Sequence, residues 1–253
     1  DTALAKVGNE VTVSFTTTEP IQTPAASEVT ISGLGDLTLT KTATDGKQWT
    51  ASGTVAANAS GNAAFSIMVL DNAGNRGSPK NTTTDGTSVT LDTTAPTLPS
   101  VTLASTNTAT NRAKSGDNLT LSFTSSEPIP VPTVTLAGST VTATDTSSGA
   151  KTSWQAVHTV DSSTPNGSAS FNISVADAAG NAGTDVSTVT SGSSINVDTT
   201  TPTLTLVKLK SNNSDTTLAK ATETGTLEFT SSEEIEDPSV LINGVAATLT
   251  GYG

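Results

Sequence analysis

Ala113-Lys114-Ser115-Gly116-Asp117-Asn118-Leu119-Thr120-Leu121-Ser122-Phe123-Thr124-Ser125-Ser126-Glu127-Pro128-Ile129 is the stretch from which the architecture can be read. Leu119, Leu121 and Phe123 alternate with hydroxyl residues, so one face of the segment is apolar and the other polar, as in a half-buried antiparallel strand. The stretch also has a twin. Ala5-Lys6-Val7-Gly8 through Thr18-Glu19-Pro20-Ile21 matches it at 10 of 17 positions, with Val11, Val13 and Phe15 in the apolar phase. A third copy runs from Ala219-Lys220 through Phe229-Thr230-Ser231-Ser232-Glu233-Glu234-Ile235.

Other blocks recur at nearly the same offset. Asp71-Asn72-Ala73-Gly74-Asn75 returns as Asp177-Ala178-Ala179-Gly180-Asn181, Asp92-Thr93-Thr94-Ala95-Pro96 as Asp198-Thr199-Thr200-Thr201-Pro202, and Trp49 as Trp154. A period of about 100 residues is too long for a solenoid turn and suits a whole β-sandwich. The Asp-Thr-Thr-x-Pro segments read as short, stiff linkers, because proline fixes φ and holds the residue before it extended. The expected organisation is a first repeat over 1–96 lacking its opening strand, a complete repeat over 97–202, and the opening part of a third over 203–253. The chain then reads as a window on a longer tandem array. In the complete repeat, strands are expected near Val101–Leu103, Leu119–Phe123, Val134–Leu136, Val141–Ala143, Trp154–Val160, Phe171–Val175 and Ile195–Val197. The fold class is all-β, with tandem sandwiches of about seven antiparallel strands each.

Composition narrows the chemistry. Of 253 residues, 52 are Thr and 32 Ser, and there is one His and no Cys. Disulfides, Cys-based zinc sites and thiol chemistry are therefore excluded. A net charge of −12 argues against nucleic acid or anionic lipid as a partner. No apolar run approaches the length of a membrane-spanning helix. Catalysis is not expected: a Ser/His/Asp triad would have to use His158, and no nucleophile elbow or phosphate-binding loop is present.

Taken together, the Ser-Phe-Thr-Ser-Ser-Glu-Pro-Ile block at 122–129, the Asp-x-Ala-Gly-Asn blocks and the Asp-Thr-Thr-x-Pro-Thr linkers resemble the bacterial immunoglobulin-like repeats of large cell-surface adhesins. The resemblance implies an extracellular setting and a linear array in which each repeat's partners are its neighbours in the same chain. Any glycan or cell-surface ligand would then lie elsewhere in the parent protein. The repeats depart from antibody domains, having no cysteine pair, and their Trp follows the fourth strand rather than sitting on the third.

The acids shared between repeats are few, and strand direction places them. The Glu127 strand and the Asp177 strand both run back toward the pole where the linker carrying Asp92 enters. Three carboxylates, with Asn181 and linker carbonyls, should meet there. Such hard oxygen ligands suit Ca²⁺, which takes 6–8 oxygens in a flexible shell. The next junction would use Asp198 with Glu233 or Glu234, and the preceding one Glu19, Asp71 and Asn75. The competing reading is structural: Asp-x-Ala-Gly-Asn is also what a tight turn requires, with Asp accepting backbone N–H groups and Gly at positive φ. Trp49 and Trp154 are in phase with inward residues and are expected in the core rather than as sugar platforms.

The function expected on these grounds is a stalk or spacer in a secreted or surface-anchored prokaryotic adhesin, stiffened at its junctions by calcium. Two alternatives stand beside it: a module whose own loops bind glycans or cell surfaces, and a subunit of an envelope lattice or filament.

Overall fold

The computed structural model describes residues 2–251 and contains no helix among them. Two compact units are present, 1–198 and 199–253.

The first repeat supplies β1 (Thr2–Ala5), β2 (Glu10–Thr16), β3 (Val29–Ile31), β4 (Thr38–Lys41), β5 (Gln48–Thr54), β6 (Ser60–Asn62), β7 (Phe65–Ile67) and β8 (Ser88–Asp92). The second supplies β9 (Ser100–Ser105), β10 (Arg112–Ala113), β11 (Asn118–Thr124), β12 (Thr133–Leu136), β13 (Ser139–Asp145), β14 (Ser153–Thr159), β15 (Gly167–Ser168), β16 (Phe171–Ser174) and β17 (Asn196–Val197).

In the second repeat one sheet runs β9-β11-β14-β13 and the other pairs β13, β12 and β16. The two are joined because β13 changes partners along its length. Ser139–Thr142 pair with β12, whereas Ala143–Asp145 pair with β14. A third ladder, β10-β17-β15, has β10 parallel to β17. This is a tandem-type immunoglobulin-like sandwich with the seven expected strands in their expected places. It also contains two that alternation does not reveal, β10 and β15, each of two residues and too short to display a period.

The period-2 residues of these strands make one continuous core. Leu119, Leu121 and Phe123 of β11 pack with Val134, Leu136, Trp154, Ala156, Phe171, Ile173 and Val197, all buried. Trp154 is only 3% exposed, and its indole N–H donates to the Lys151 carbonyl at 3.3 Å; Trp49, 4% exposed, does the same to Gly46 at 3.1 Å. Both rings are core residues whose one polar atom is satisfied, which removes any sugar-stacking role.

The first repeat has the same plan minus one strand. Among the described residues its β2-β5-β4 sheet has no counterpart of β9, and β1 lies parallel to β8 as β10 does to β17. Its buried residues form two clusters, one around Val11, Val55 and Leu91 and one around Val29, Ile31, Ala51 and Ile67. Phe15 and Phe65, the counterparts of Phe123 and Phe171, are half-exposed.

The unit at 199–253 holds β18 (Leu204–Ser211), β19 (Gly225–Ser231), β20 (Leu241–Ile242) and β21 (Val245–Ala246), as two separate two-stranded ladders. None of its described residues is buried.

Candidate metal centre

The turn after β16 is built by its own sequence. Asp177 Oδ1 accepts the Asn181 backbone N–H at 2.8 Å, and Oδ2 accepts the Asn181 side-chain amide at 2.6 Å. Gly180 sits at φ +88°, a left-handed conformation that glycine adopts without the Cβ penalty. The copy at Asp71 repeats every feature: Asn75 N at 2.8 Å, Asn75 Nδ2 at 2.6 Å, and Gly74 at φ +89°. Glu127 is placed by a second local device, the Ser125 hydroxyl donating to its carbonyl at 2.6 Å. Thr17 does this for Glu19 at 2.7 Å and Ser231 for Glu233 at 2.5 Å.

The linker is then laid between these two loops. Thr93 Oγ1 donates to the Ala59 carbonyl of the first sandwich at 2.9 Å. Asn181 Nδ2 also donates to the Asp92 carbonyl at 2.9 Å. Pro96 is buried, and its carbonyl lies so close to Gly183 that a Cβ there would meet it at 2.4 Å. Beyond it, Thr97 and Ser126 exchange two hydrogen bonds, Thr97 N to Ser126 Oγ at 3.0 Å and Ser126 N to the Thr97 carbonyl at 2.9 Å. The pairing of Thr203 with Ser232 is the same, at 2.9 and 2.8 Å. From the first sandwich, Lys6 Nζ reaches the Gly180 carbonyl at 2.6 Å.

The outcome is that Asp92, Glu127 and Asp177 each present a carboxylate oxygen within 4.8 Å of the others. Asp177 is 5% exposed, and Asp92 and Glu127 are half-buried. Burial, followed by the negative charges of Asp92 and Asp177, pushes the Glu127 carboxyl above its ordinary range. Oxygens bonded to one Ca²⁺ at 2.3–2.6 Å stand at most about 5 Å apart, so the spacing fits such an ion. The Asn181 side-chain nitrogen donates two hydrogen bonds, to Asp177 and to the linker.

At the pole of the first repeat, Glu19, Asp71 and Asn75 line one cleft of about 320 Å³ together with Arg76 and Gly77. Asn75 holds Asp71 as Asn181 holds Asp177, and its side-chain amide, with the backbone N–H groups of Asn75 and Ala73, keeps the Asp71 carboxyl below the ordinary range. Asp198 follows β17, its N–H donating to the Ala113 carbonyl at 2.8 Å, and belongs to the unit at 1–198. Glu233 and Glu234 follow β19 in the other unit. His158, on β14, pairs through Nε2 with the Thr164 hydroxyl at 3.0 Å and takes no part in the acidic cluster. Lys6 and Gly183 are the contributors that sequence reasoning overlooked. A signal existed for both: Ala-Lys recurs at 5–6, 113–114 and 219–220, and Gly at 77 and 183.

No family model matches the chain, and no curated protein matches it. Among solved structures it is similar to titin Ig tandem domains A164-A165 (12% identity, 79% of this chain and 92% of that one, TM-score 0.25). It is also similar to the ectodomain of mouse nectin-like molecule 4 (10%, 96% and 84%, TM-score 0.35) and to the D00-D0 domain of intimin (11%, 78% and 93%, TM-score 0.30). Superpositions this loose add nothing to the fold that the strand order establishes and do not bear on function.

Proposed function

We propose that this chain is a spacer segment of a secreted or surface-anchored prokaryotic adhesin, and that calcium stiffens its interdomain junctions. One observation supports the reading most directly. The three converging carboxylates come from a linker and from two loops of the following sandwich, so an ion held there would tie the linker to the domain that follows it. Without the ion their charges repel at the hinge; with it, the repulsion becomes a crosslink. Asp92, Glu127 and Asp177 would hold the ion, and Asn181 would orient Asp177 and the Asp92 carbonyl. Glu19 with Asp71 and Asn75 would be the corresponding set at the preceding junction. The role is mechanical and non-catalytic: the few ionisable groups shared by the repeats gather at their poles. Among the described residues no helix is long and apolar enough to cross a membrane.

The test is small-angle scattering and limited proteolysis of the full chain, with calcium and with chelator. Calcium should protect the linker near Asp92 and narrow the distribution of dimensions, and Asp177→Asn with Glu127→Gln should abolish both effects while the tryptophan emission stays native. Identical cleavage and dimensions in both conditions would reject the ion and leave Asp-x-Ala-Gly-Asn as a structural turn.

A further inference from the structure

Two neighbouring strands of the first sandwich deliver their ends to the same place. β1 and β8 are parallel and pair as far as Ala5 with Leu91, so the next residues, Lys6 and Asp92, continue side by side, about 5 Å apart. Antiparallel pairing would have carried the two ends to opposite poles. Both then reach one turn of the second sandwich. Lys6 is half-buried, and its ammonium donates to the Gly180 carbonyl at 2.6 Å. Its stem lies over that glycine, where a Cβ would meet Nζ, Cε and Cδ at 3.5, 3.8 and 3.9 Å. The Asp92 carbonyl accepts Asn181 Nδ2, one residue along the same turn, at 2.9 Å. The parts recur. Lysine stands at 6, 114 and 220, and each fixes its backbone N–H on an acceptor three residues on: Asn9 Oδ1 at 3.0 Å, Asp117 Oδ2 at 2.8 Å and Glu223 Oε2 at 2.9 Å. β10 is likewise parallel to β17, with Lys114 and Asp198 next after the pair Ala113 and Val197. The Gly-Asn pair of the turn stands at 74–75 as at 180–181.

A single contact between two bodies is a pivot, whereas two contacts from separate strands onto one turn also fix rotation. From this we infer that the Asp177–Asn181 turn is a docking surface for the paired ends of β1 and β8, and that this docking sets the rotation of the second sandwich about the linker. The partner it fits is a sandwich whose parallel ladder ends in a lysine beside an accepting carbonyl. The lysine brings a charge-assisted hydrogen bond, and the asparagine amide fixes which strand end lies over which residue of the turn. The inference goes beyond the spacer reading and needs no bound ion, so its test is run in chelator.

The experiment measures distances between two spin labels in the full chain, which has no Cys of its own. One label sits at Thr40→Cys on the first sandwich, the other at Gln155→Cys or at Thr133→Cys on the second. All three sites are exposed. Gln155 and Thr133 alternate with the buried Trp154 and Val134 of different sheets, so they stand on opposite faces of the second sandwich. Rotation about the linker lengthens one distance as it shortens the other, whereas bending broadens both. In chelator the two label pairs should give two separate maxima. Lys6→Met and Asn181→Ala should each broaden them until they overlap, with tryptophan emission still native. Asn75→Ala, which breaks the twin turn on the first sandwich, should leave them as they are. Overlapping distributions in the unsubstituted chain, unchanged maxima in Lys6→Met, or equal broadening by Asn75→Ala would overturn the proposal. Separate maxima that form only when calcium is added would overturn it too, and would leave the ion as what sets the angle.

Discussion

The Lys6 ammonium of the first sandwich donates to the Gly180 carbonyl of the second at 2.6 Å, on the turn that carries Asp177. This contact crosses the junction without using an acid. Its backbone is fixed by Asn9, whose Oδ1 accepts the Lys6 N–H at 3.0 Å. Removing the charge with Lys6→Met should leave each sandwich folded and loosen the hinge between them. The measurement is limited proteolysis of the 93–97 linker in chelator, where cleavage should rise severalfold. Unchanged cleavage would mean that the linker's own seating, through Thr97 and Ser126, holds the joint unaided.

Gly183 and Gly77 occupy equivalent places but meet different surroundings. A Cβ at Gly183 would lie 2.4 Å from the Pro96 carbonyl oxygen and 2.7 Å from Val175 Cγ2; one at Gly77 finds only ordinary contacts at 3.5 Å with Val69. Backbone cannot yield as a flexible side-chain tip can. Gly183→Ala should therefore unseat the linker and cost about 1–3 kcal/mol, whereas Gly77→Ala should be close to neutral. Comparing the two melting curves checks this; equal shifts would show that Pro96 moves aside freely.

Much of this was legible in the residues, and the parts that were not share a cause. Strict alternation in Leu119–Phe123 and Phe171–Val175 located the central strands, and counting strand direction brought Asp92, Glu127 and Asp177 to one pole. The partner switch in β13 was hidden because Ser139–Asp145 buries only Ala143, so its pattern names no single face. The two-residue strands β10 and β15 carry no period at all. Lys6 reads from sequence as a solvated charge at a turn; only the neighbouring domain gives it a partner. That the Asn181 amide nitrogen bridges Asp177 and the Asp92 carbonyl could not be read either, since it depends on a rotamer.

Acidity should act on the second sandwich in two opposed windows. The raised carboxyl of Glu127 means the folded state binds its proton more tightly than the unfolded chain does. Its contribution is therefore fully present below the unfolded value and lost as pH rises through the raised folded one. Asp117 has the opposite sign. The Asn107 side-chain amide at 2.6 Å and the Lys114 N–H at 2.8 Å hold it below its ordinary range, so its contribution is present above the unfolded value and lost as pH falls through the depressed one. Melts in chelator should show stability rising as pH is lowered from neutral through the Glu127 range, then falling at stronger acidity. Glu127→Gln should remove the first branch and keep the second. A wild-type curve that declines steadily from neutral would show that neither burial nor the neighbouring acids hold the Glu127 carboxyl above its ordinary range.

The last prediction tests the cores against each other. Phe171 is 8% exposed within a single continuous cluster, whereas its counterpart Phe65 lies half-exposed at the margin of a divided core, in a cleft it lines with Val13 and Phe15. A large-to-small substitution costs the lost transfer energy plus the cavity that remains, and a side chain already facing an opening contributes less of both. Phe171→Ala should cost about 3–5 kcal/mol, comparable with the whole stability of a small domain, and Phe65→Ala distinctly less. The chain reports each core separately, since it has two tryptophans and they fall one in each sandwich. With Trp49→Phe, fluorescence follows the second sandwich through Trp154; with Trp154→Phe, it follows the first through Trp49. Equal costs at the two positions would show that the divided core packs Phe65 as fully as the continuous one packs Phe171.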